Sequence, residues 1–274
     1  MINTLLRGLL LVFCIQGMAV AEVRVEAVPY QDGDVKLEGY LAYDDAHGVE
    51  RRPGIIVVHE WWGLNDHTKS RAKQLAELGY VAFAIDLYGA GVRTKDPKEA
   101  ARLSAPLRGD RALMRSRARA GLERLRAQPL ASDALAAIGF CFGGTVALEL
   151  ARAGEPLKGI VVFHGGLAAG TDPSGKPMPA SAGVLRAKVL ALQGADDPLV
   201  PPSETAAFID EMRSAKADWQ LVQYGGAVHA FTNPSAGSDP ATGVAYNEAA
   251  DHRSWAAMRE FLARDLFPQA SESR

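Results

Sequence analysis

Ile138-Gly139-Phe140-Cys141-Phe142-Gly143-Gly144 joins an apolar run, Ala134 to Ile138, to a segment with helical character from Gly143 to Ala153. A strand that turns sharply into a helix is the setting of the G-x-S-x-G nucleophile elbow, here with cysteine at the centre. The glycines fit that geometry, because strand and helix approach too closely there for side chains. The elbow would lift the sulfur above the end of a sheet, and the helix N-terminus behind it would favour the thiolate. Two plainer readings compete. Glycine-rich strand-to-helix turns also occur in nucleotide-binding folds, and cysteine is often only a small buried apolar residue.

The flanking chain supplies strands and helices in alternation. Glu22–Pro29 and Val35–Tyr43 alternate apolar and polar residues around the turn Asp32-Gly33-Asp34, which predicts a hairpin at a sheet edge. Gly54–Val58, Tyr80–Ile85, Ala134–Ile138, Lys158–Phe163, Lys188–Gln193 and Trp219–Tyr224 are short apolar runs, as in strands buried on both faces. Helices are expected over Asp66–Leu78, from Asp96-Pro97 until Pro106 interrupts, over about Gly109–Gln128, over Ser203–Ala215 with Ser203 as N-cap, and over Ala245–Leu266. The arginines of the 109–128 helix (Arg111, Arg115, Arg119 and Arg126) read as a solvated face. A sharper alternative has one of them reaching a substrate carboxylate. The fold class is therefore α/β, a mostly parallel sheet of about eight strands with helices on both faces.

Composition narrows the function. Lys and Arg number 30 against 32 Asp and Glu, a net charge of −2, which predicts no bulk attraction to nucleic acid or anionic lipid. Residues 1–21 read as a secretory signal peptide: Arg7, the short apolar run Gly8–Ile15, then Ala19-Val20-Ala21 as cleavage site. Export, to the periplasm or beyond, is the expectation, with one α/β domain over 22–274 and no membrane association after cleavage. Cleavage would leave Cys141 as the sole cysteine, the other being Cys14. A lone cysteine can form neither an internal disulfide nor a cysteine-cluster metal site, and it has no resolving partner for redox chemistry. Neither cofactor nor metal is expected.

Ligands gather beyond the carboxyl ends of strands in such sheets. Glu60, Asp86, Cys141, Asp197 and His229 each follow a predicted strand. Cys141, then Asp197, then His229 is the chain order of an α/β-hydrolase triad. Asp197 is preferred to Asp196 for its spacing to Val200-Pro201, and would hold the imidazole tautomer. Of the other histidines, His47 falls in a polar loop, His67 and His252 fall in helices, His164 ends the wrong strand, and His59 is expected to pack or bond locally.

His59-Glu60-Trp61-Trp62-Gly63-Leu64-Asn65, Asp86-Leu87-Tyr88-Gly89, Gly139 to Gly144, Gly194 to Pro201 and His229-Ala230-Phe231 together resemble the dienelactone hydrolase family over nearly all of residues 22–274. The resemblance implies an α/β-hydrolase fold with Cys141, Asp197 and His229 as triad. It implies that Glu60 contacts the resting thiol and helps control its protonation. It implies an oxyanion hole made by the backbone N–H groups of Phe142 and Trp61, and Trp62, Tyr88 and Phe231 are expected beside the substrate. The expected partner is a small-molecule ester or lactone, cleaved through an acyl-thioester. A general carboxylesterase or acyltransferase, and a non-catalytic binding protein on the same scaffold, are the alternatives. One departure stands out: family members that cleave a carboxylated lactone carry arginine four residues after the histidine, and here that position is Asn233.

Overall fold

The computed structural model describes residues 22–171 and 174–268. The expected signal peptide, residues 1–21, lies outside the described residues.

Eight strands form one sheet: β1 (Val23–Asp32), β2 (Val35–Asp44), β3 (Arg52–Val58), β4 (Val81–Ile85), β5 (Ala131–Phe140), β6 (Gly159–Phe163), β7 (Lys188–Gly194) and β8 (Trp219–Tyr224). Their spatial order is β1-β2-β4-β3-β5-β6-β7-β8. The β1–β2 hairpin pairs antiparallel at the edge, β2 pairs antiparallel with β4, and every later pair is parallel. Parallel neighbours require crossover helices, and these cover both faces.

The strand period of two sorts the side chains. Ile56 and Val58 of β3 join Phe83, Ile85 and Val162 under α3 (Arg111–Arg126), α4 (Phe142–Arg152) and α5 (Pro202–Ala215). Ile55 and Val57 join Ala82, Ala84, Ile138 and Phe140 on the other face, under α1 (Asp66–Glu77) and α6 (Glu248–Glu260). The remaining helix, α2 (Pro97–Gly109), lies beside α3.

Four local expectations are corrected. Pro106 does not interrupt α2: it sits exposed one turn from the helix end, where its missing N–H costs a single bond. Ser203 is not an N-cap, because Pro201 and Pro202 have already set helical entry and Pro201 occupies the cap. The closing helix starts at Glu248, capped by Asn247, and not at Ala245, whose N–H is bonded to His229 O; its last turn widens into a π-helix, Phe261–Leu266. The arginines of α3 are a solvated face only in part, since Arg119 stays exposed while Arg115 turns inward. Arg115 bonds the buried carboxylate of Glu149 at 2.6 Å, which Arg152 holds from the other side while also gripping Glu211 at 2.6 Å. Buried carboxylates in a core need such partners, and this set staples α3, α4 and α5 together.

Candidate active site

The elbow is built as its glycines require. Cys141 takes φ 53° and ψ −119°, a conformation that costs a non-glycine residue roughly 1–3 kcal/mol. A Cβ on Gly139 would sit 1.9 Å from Gly143 O, and one on Gly143 would sit 2.3 Å from Val58 O. Backbone packed on backbone thus holds the strained turn in place.

Above it the three triad candidates meet. His229 Nε2 lies 3.0 Å from Cys141 Sγ, and His229 Nδ1 lies 2.8 Å from Asp197 Oδ2. The other Asp197 oxygen accepts from Leu199 N at 2.8 Å, which fixes the carboxylate plane. Asp196 instead caps Gly226 N, outside this chain of contacts. Burial works against an imidazolium at His229, but the Cys141 sulfur and the Asp197 carboxylate outweigh it and push the histidine up to about 10. That is the electrostatic setting of a thiolate–imidazolium pair.

Two histidines the sequence reading set aside, and Tyr88, support the elbow. His164, buried and at φ 40°, accepts from Cys141 N through Nδ1 and bonds Thr232 Oγ1 through Nε2 at 2.7 Å. Burial and the neighbouring His229 hold it neutral, well below the usual histidine range. His59 bonds locally, as expected, and with consequence. Leu87 N donates to its Nε2, so Nδ1 carries the hydrogen and donates to Glu60 O. Glu60 O and Trp61 N belong to one peptide, so His59 orients the Trp61 N–H. Tyr88 fixes the next peptide by donating to Trp61 O at 3.0 Å. The N–H groups of Trp61 and Phe142 bond no acceptor among the described residues.

Cys141 and His229 lie in a cavity of about 940 Å³. Trp61 and Trp62 line it, their rings 4.9 Å apart, and give it an apolar wall. Tyr88 and Phe231 do not line it. Tyr88 lies behind the Trp61 carbonyl, and Phe231 is fully buried against His164 at 5.0 Å. Asp86 is spent on the N–H groups of Tyr88, Gly89 and Glu38, a turn-fixing role.

Glu60 lies in the cavity floor, but no hydrogen bond joins it to the sulfur. Its Oε2 accepts from Asn233 Nδ2 at 2.6 Å and stands 3.6 Å from His67 Nδ1. The expected contact with the resting thiol is therefore corrected: His229 occupies the sulfur, and Asn233 holds the carboxylate.

The rim carries residues that sequence reasoning missed. Gly63, at φ 86°, bridges Arg93 and so brings Arg93, Thr94 and Lys95 to the opening, and Arg108 joins them from α2. None of the four α3 arginines in the run lines the cavity. Leu199 and Val244, both exposed, form an apolar lip. Behind the floor, Arg71 bonds Asp251 at 2.6 Å and Thr232 O at 2.8 Å, anchoring the His229 loop to α1 and α6. Among the described residues no group of three or more His, Cys, Asp or Glu is placed to hold a metal ion.

Residues 37–266 match the model of the dienelactone hydrolase family. A putative carboxymethylenebutenolidase of Salmonella typhimurium is 31% identical over 218 residues, 77% of each chain. A probable 2-oxo-3-(5-oxofuran-2-ylidene)propanoate lactonase of Bradyrhizobium is 29% identical over 206 residues, 73% of this chain and 80% of that one. The crystal structure of a dienelactone hydrolase-like promiscuous phosphotriesterase from metagenomic libraries superposes with a TM-score of 0.81 at 42% identity, covering 89% of this chain and 98% of that one.

Proposed function

The chain belongs to the dienelactone hydrolase family and is a hydrolase, and we propose that it cleaves small esters or lactones through an acyl-thioester on Cys141. The observation that carries this reading is the continuous contact Cys141 Sγ to His229 Nε2 to Asp197 Oδ2, at 3.0 and 2.8 Å, beside the cavity. The thiolate attacks the carbonyl carbon, forming a C–S bond and an oxyanion. Trp61 N–H and Phe142 N–H receive the oxyanion, a contribution of roughly 3–4 kcal/mol per donor. Collapse of the intermediate breaks the C–O bond, and the departing alkoxide takes the proton from His229. In a lactone that hydroxyl stays attached to the acyl group.

Acylation then changes the base. The sulfur no longer carries charge, so the influence that raised His229 is withdrawn and neutral imidazole becomes accessible. His229 takes a proton from water as the water attacks the thioester, and collapse releases the carboxylic acid and restores the thiolate–imidazolium pair. Asp197 keeps Nδ1 protonated throughout and does not itself take the proton.

The rim supports esters with a negative charge remote from the scissile bond, since Arg93, Lys95 and Arg108 surround the opening with no ion-pair partner among the described residues. The 42% identical metagenomic relative favours a second class on the same machinery, neutral phosphotriesters. A panel of p-nitrophenyl esters, lactones and a dialkyl p-nitrophenyl phosphate tests both. Turnover is expected on at least one ester, with loss after one equivalent of iodoacetamide labels Cys141. Asp197→Asn should lower kcat by about three to four orders of magnitude, by freeing the wrong tautomer. Full turnover by the alkylated protein would refute the reading.

Export is the remaining part of the proposal, and it rests on residues 1–21. No helix among the described residues is long and apolar enough to cross a membrane. The mass of the exported protein should correspond to a chain beginning at Glu22. A mass that includes residues 1–21 contradicts cleavage.

A further inference from the structure

Among the described residues, four that are not glycine take a positive φ: Cys141, His164, Lys216 and Ala230. Lys216 closes α5. The other three gather at the site. Cys141 bears the sulfur, Ala230 follows His229, and His164 touches both segments. Glycine would take the φ of 40° at position 164 without strain, and Gly165 and Gly166 follow at once. A strained residue persists where its surroundings over-determine it, and at His164 the side chain supplies that determination.

The hydrogens fix the state of the ring. Cys141 N carries a hydrogen, so Nδ1 of His164, 3.1 Å away, presents its lone pair. The ring hydrogen is therefore on Nε2, which donates to Thr232 Oγ1 at 2.7 Å. A hydrogen on Nδ1 would face the Cys141 N–H, so the ring stays neutral. Burial and the neighbouring His229, His67 and Arg71 act in the same direction.

Both ends of this bridge reach the reacting groups. One ends on the backbone of the residue that carries the sulfur. The other ends on the loop that carries His229, at Thr232, whose carbonyl Arg71 holds separately. The ring also walls the base: its centroid lies 5.4 Å from that of His229 and 5.0 Å from that of Phe231, edge-on in both cases. Among the described residues, no other side chain outside the elbow and the His229 loop hydrogen-bonds to both.

We propose that His164 is a positioning residue that sets the separation of Cys141 and His229, tied to the nucleophile's backbone by one ring nitrogen and to the loop of the base by the other. Without it, the separation of sulfur and imidazole would depend on the loop alone. Its neutral ring has no free lone pair, so it offers the thiol no second base, and proton transfer is confined to His229. The kinetic consequence rests on the ester-hydrolase reading; the bridge and its effect on His229 do not.

Three variants of the full chain test the role. Thr232→Val removes the acceptor of the Nε2–H but keeps the Thr232 carbonyl. Thr232→Ser restores the hydroxyl. His164→Asn suits the positive φ and keeps an acceptor toward Cys141 N, but it is too short to reach Thr232. On a p-nitrophenyl ester, Thr232→Val and His164→Asn are expected to lower kcat roughly 10- to 100-fold with KM within about twofold, and Thr232→Ser to recover most of the loss. Histidine ring-nitrogen NMR supplies a readout that a merely structural role would not move. The wild-type His229, identified by its loss in His229→Gln, is expected to titrate near the value of about 10 that the sulfur and Asp197 impose. In Thr232→Val it is expected to titrate lower, because the sulfur's hold weakens with distance, and in Thr232→Ser to return. His164 is expected with a hydrogen on Nε2 alone over about pH 6 to 9. An unmoved His229 in Thr232→Val, equal impairment of Thr232→Ser and Thr232→Val, or a His164 hydrogen on Nδ1 would overturn the proposal. If the wild type turns over no ester, the ester-hydrolase reading fails, and the His229 titration in the same variants decides the positioning role.

Discussion

Cys141→Ala is expected to lower kcat by about four orders of magnitude or more while leaving the fold intact. The activity loss follows because the sulfur is the atom that would bond to the acyl group, and nothing else in the cavity replaces it. His229 could still activate water, but the covalent route through an acyl-enzyme would be closed. Stability should change little, within about 1 kcal/mol, because alanine bears the positive φ of the elbow as cysteine does and the sulfur is only half-buried. A second signature belongs to the same variant. The sulfur is the largest influence raising His229, so its removal should bring the titration of that histidine well down from about 10. Wild-type kcat in Cys141→Ala on every ester tested, or an unmoved His229, would remove the sulfur from the mechanism.

Gly139→Ala is expected to destabilise the protein by about 3–5 kcal/mol, a fall in Tm of about 10 °C or more. The added methyl would lie 1.9 Å from Gly143 O, 2.2 Å from Gly143 C and 2.6 Å from Gly144 N. All three are backbone atoms of α4, so no side chain can swing aside. The end of β5 and the first turn of α4 must part, and Cys141 lies between them. Activity should fall together with Tm. Gly109→Ala is the control: its Cβ would meet nothing within 4 Å, and Tm should stay within a degree or two. Equal melting of the two variants would show that the close approach at the elbow is not what the glycine serves.

Much of this molecule was legible in the chain because its signals are local. The strand runs from Gly54 to Tyr224 announce themselves by unbroken apolar character, which parallel strands need when helices cover both faces. The placement of Cys141, Asp197 and His229 at strand ends followed from that reading, and the structure brings these three into contact. What was not legible depends on which distant segments meet. Arg115 looked solvated because nothing in a helix reveals a buried glutamate on its neighbour; Glu149 is 34 residues from Arg115. Arg93 and Lys95 reach the rim where Gly63 docks the loop after β3 onto residues 92–94, and Arg108 reaches it from α2. Tyr88 and Phe231 were expected beside substrate, but adjacent residues in turns face different ways. Glu60 was assigned to the thiol by resemblance alone, and Asn233, 173 residues away, holds it instead. Asn233 was already noted as a departure, so the signal was present although its partner was not.

The ion pair of Arg71 with Asp251 has a practical side. Asp251 belongs to the last α-helix, in a part of the chain that fusion tags and deletion series usually treat as expendable. Yet it is one residue removed from the carbonyl of Thr232, which Arg71 also binds, and so from the loop that bears His229. Shortening the chain into α6 would leave Arg71 buried without its carboxylate and loosen that loop, so a truncation mapped as a change in turnover would report on the distant end of the polypeptide. Tags on the far side of α6 and cuts within it are therefore different experiments, though a few residues separate them in the sequence.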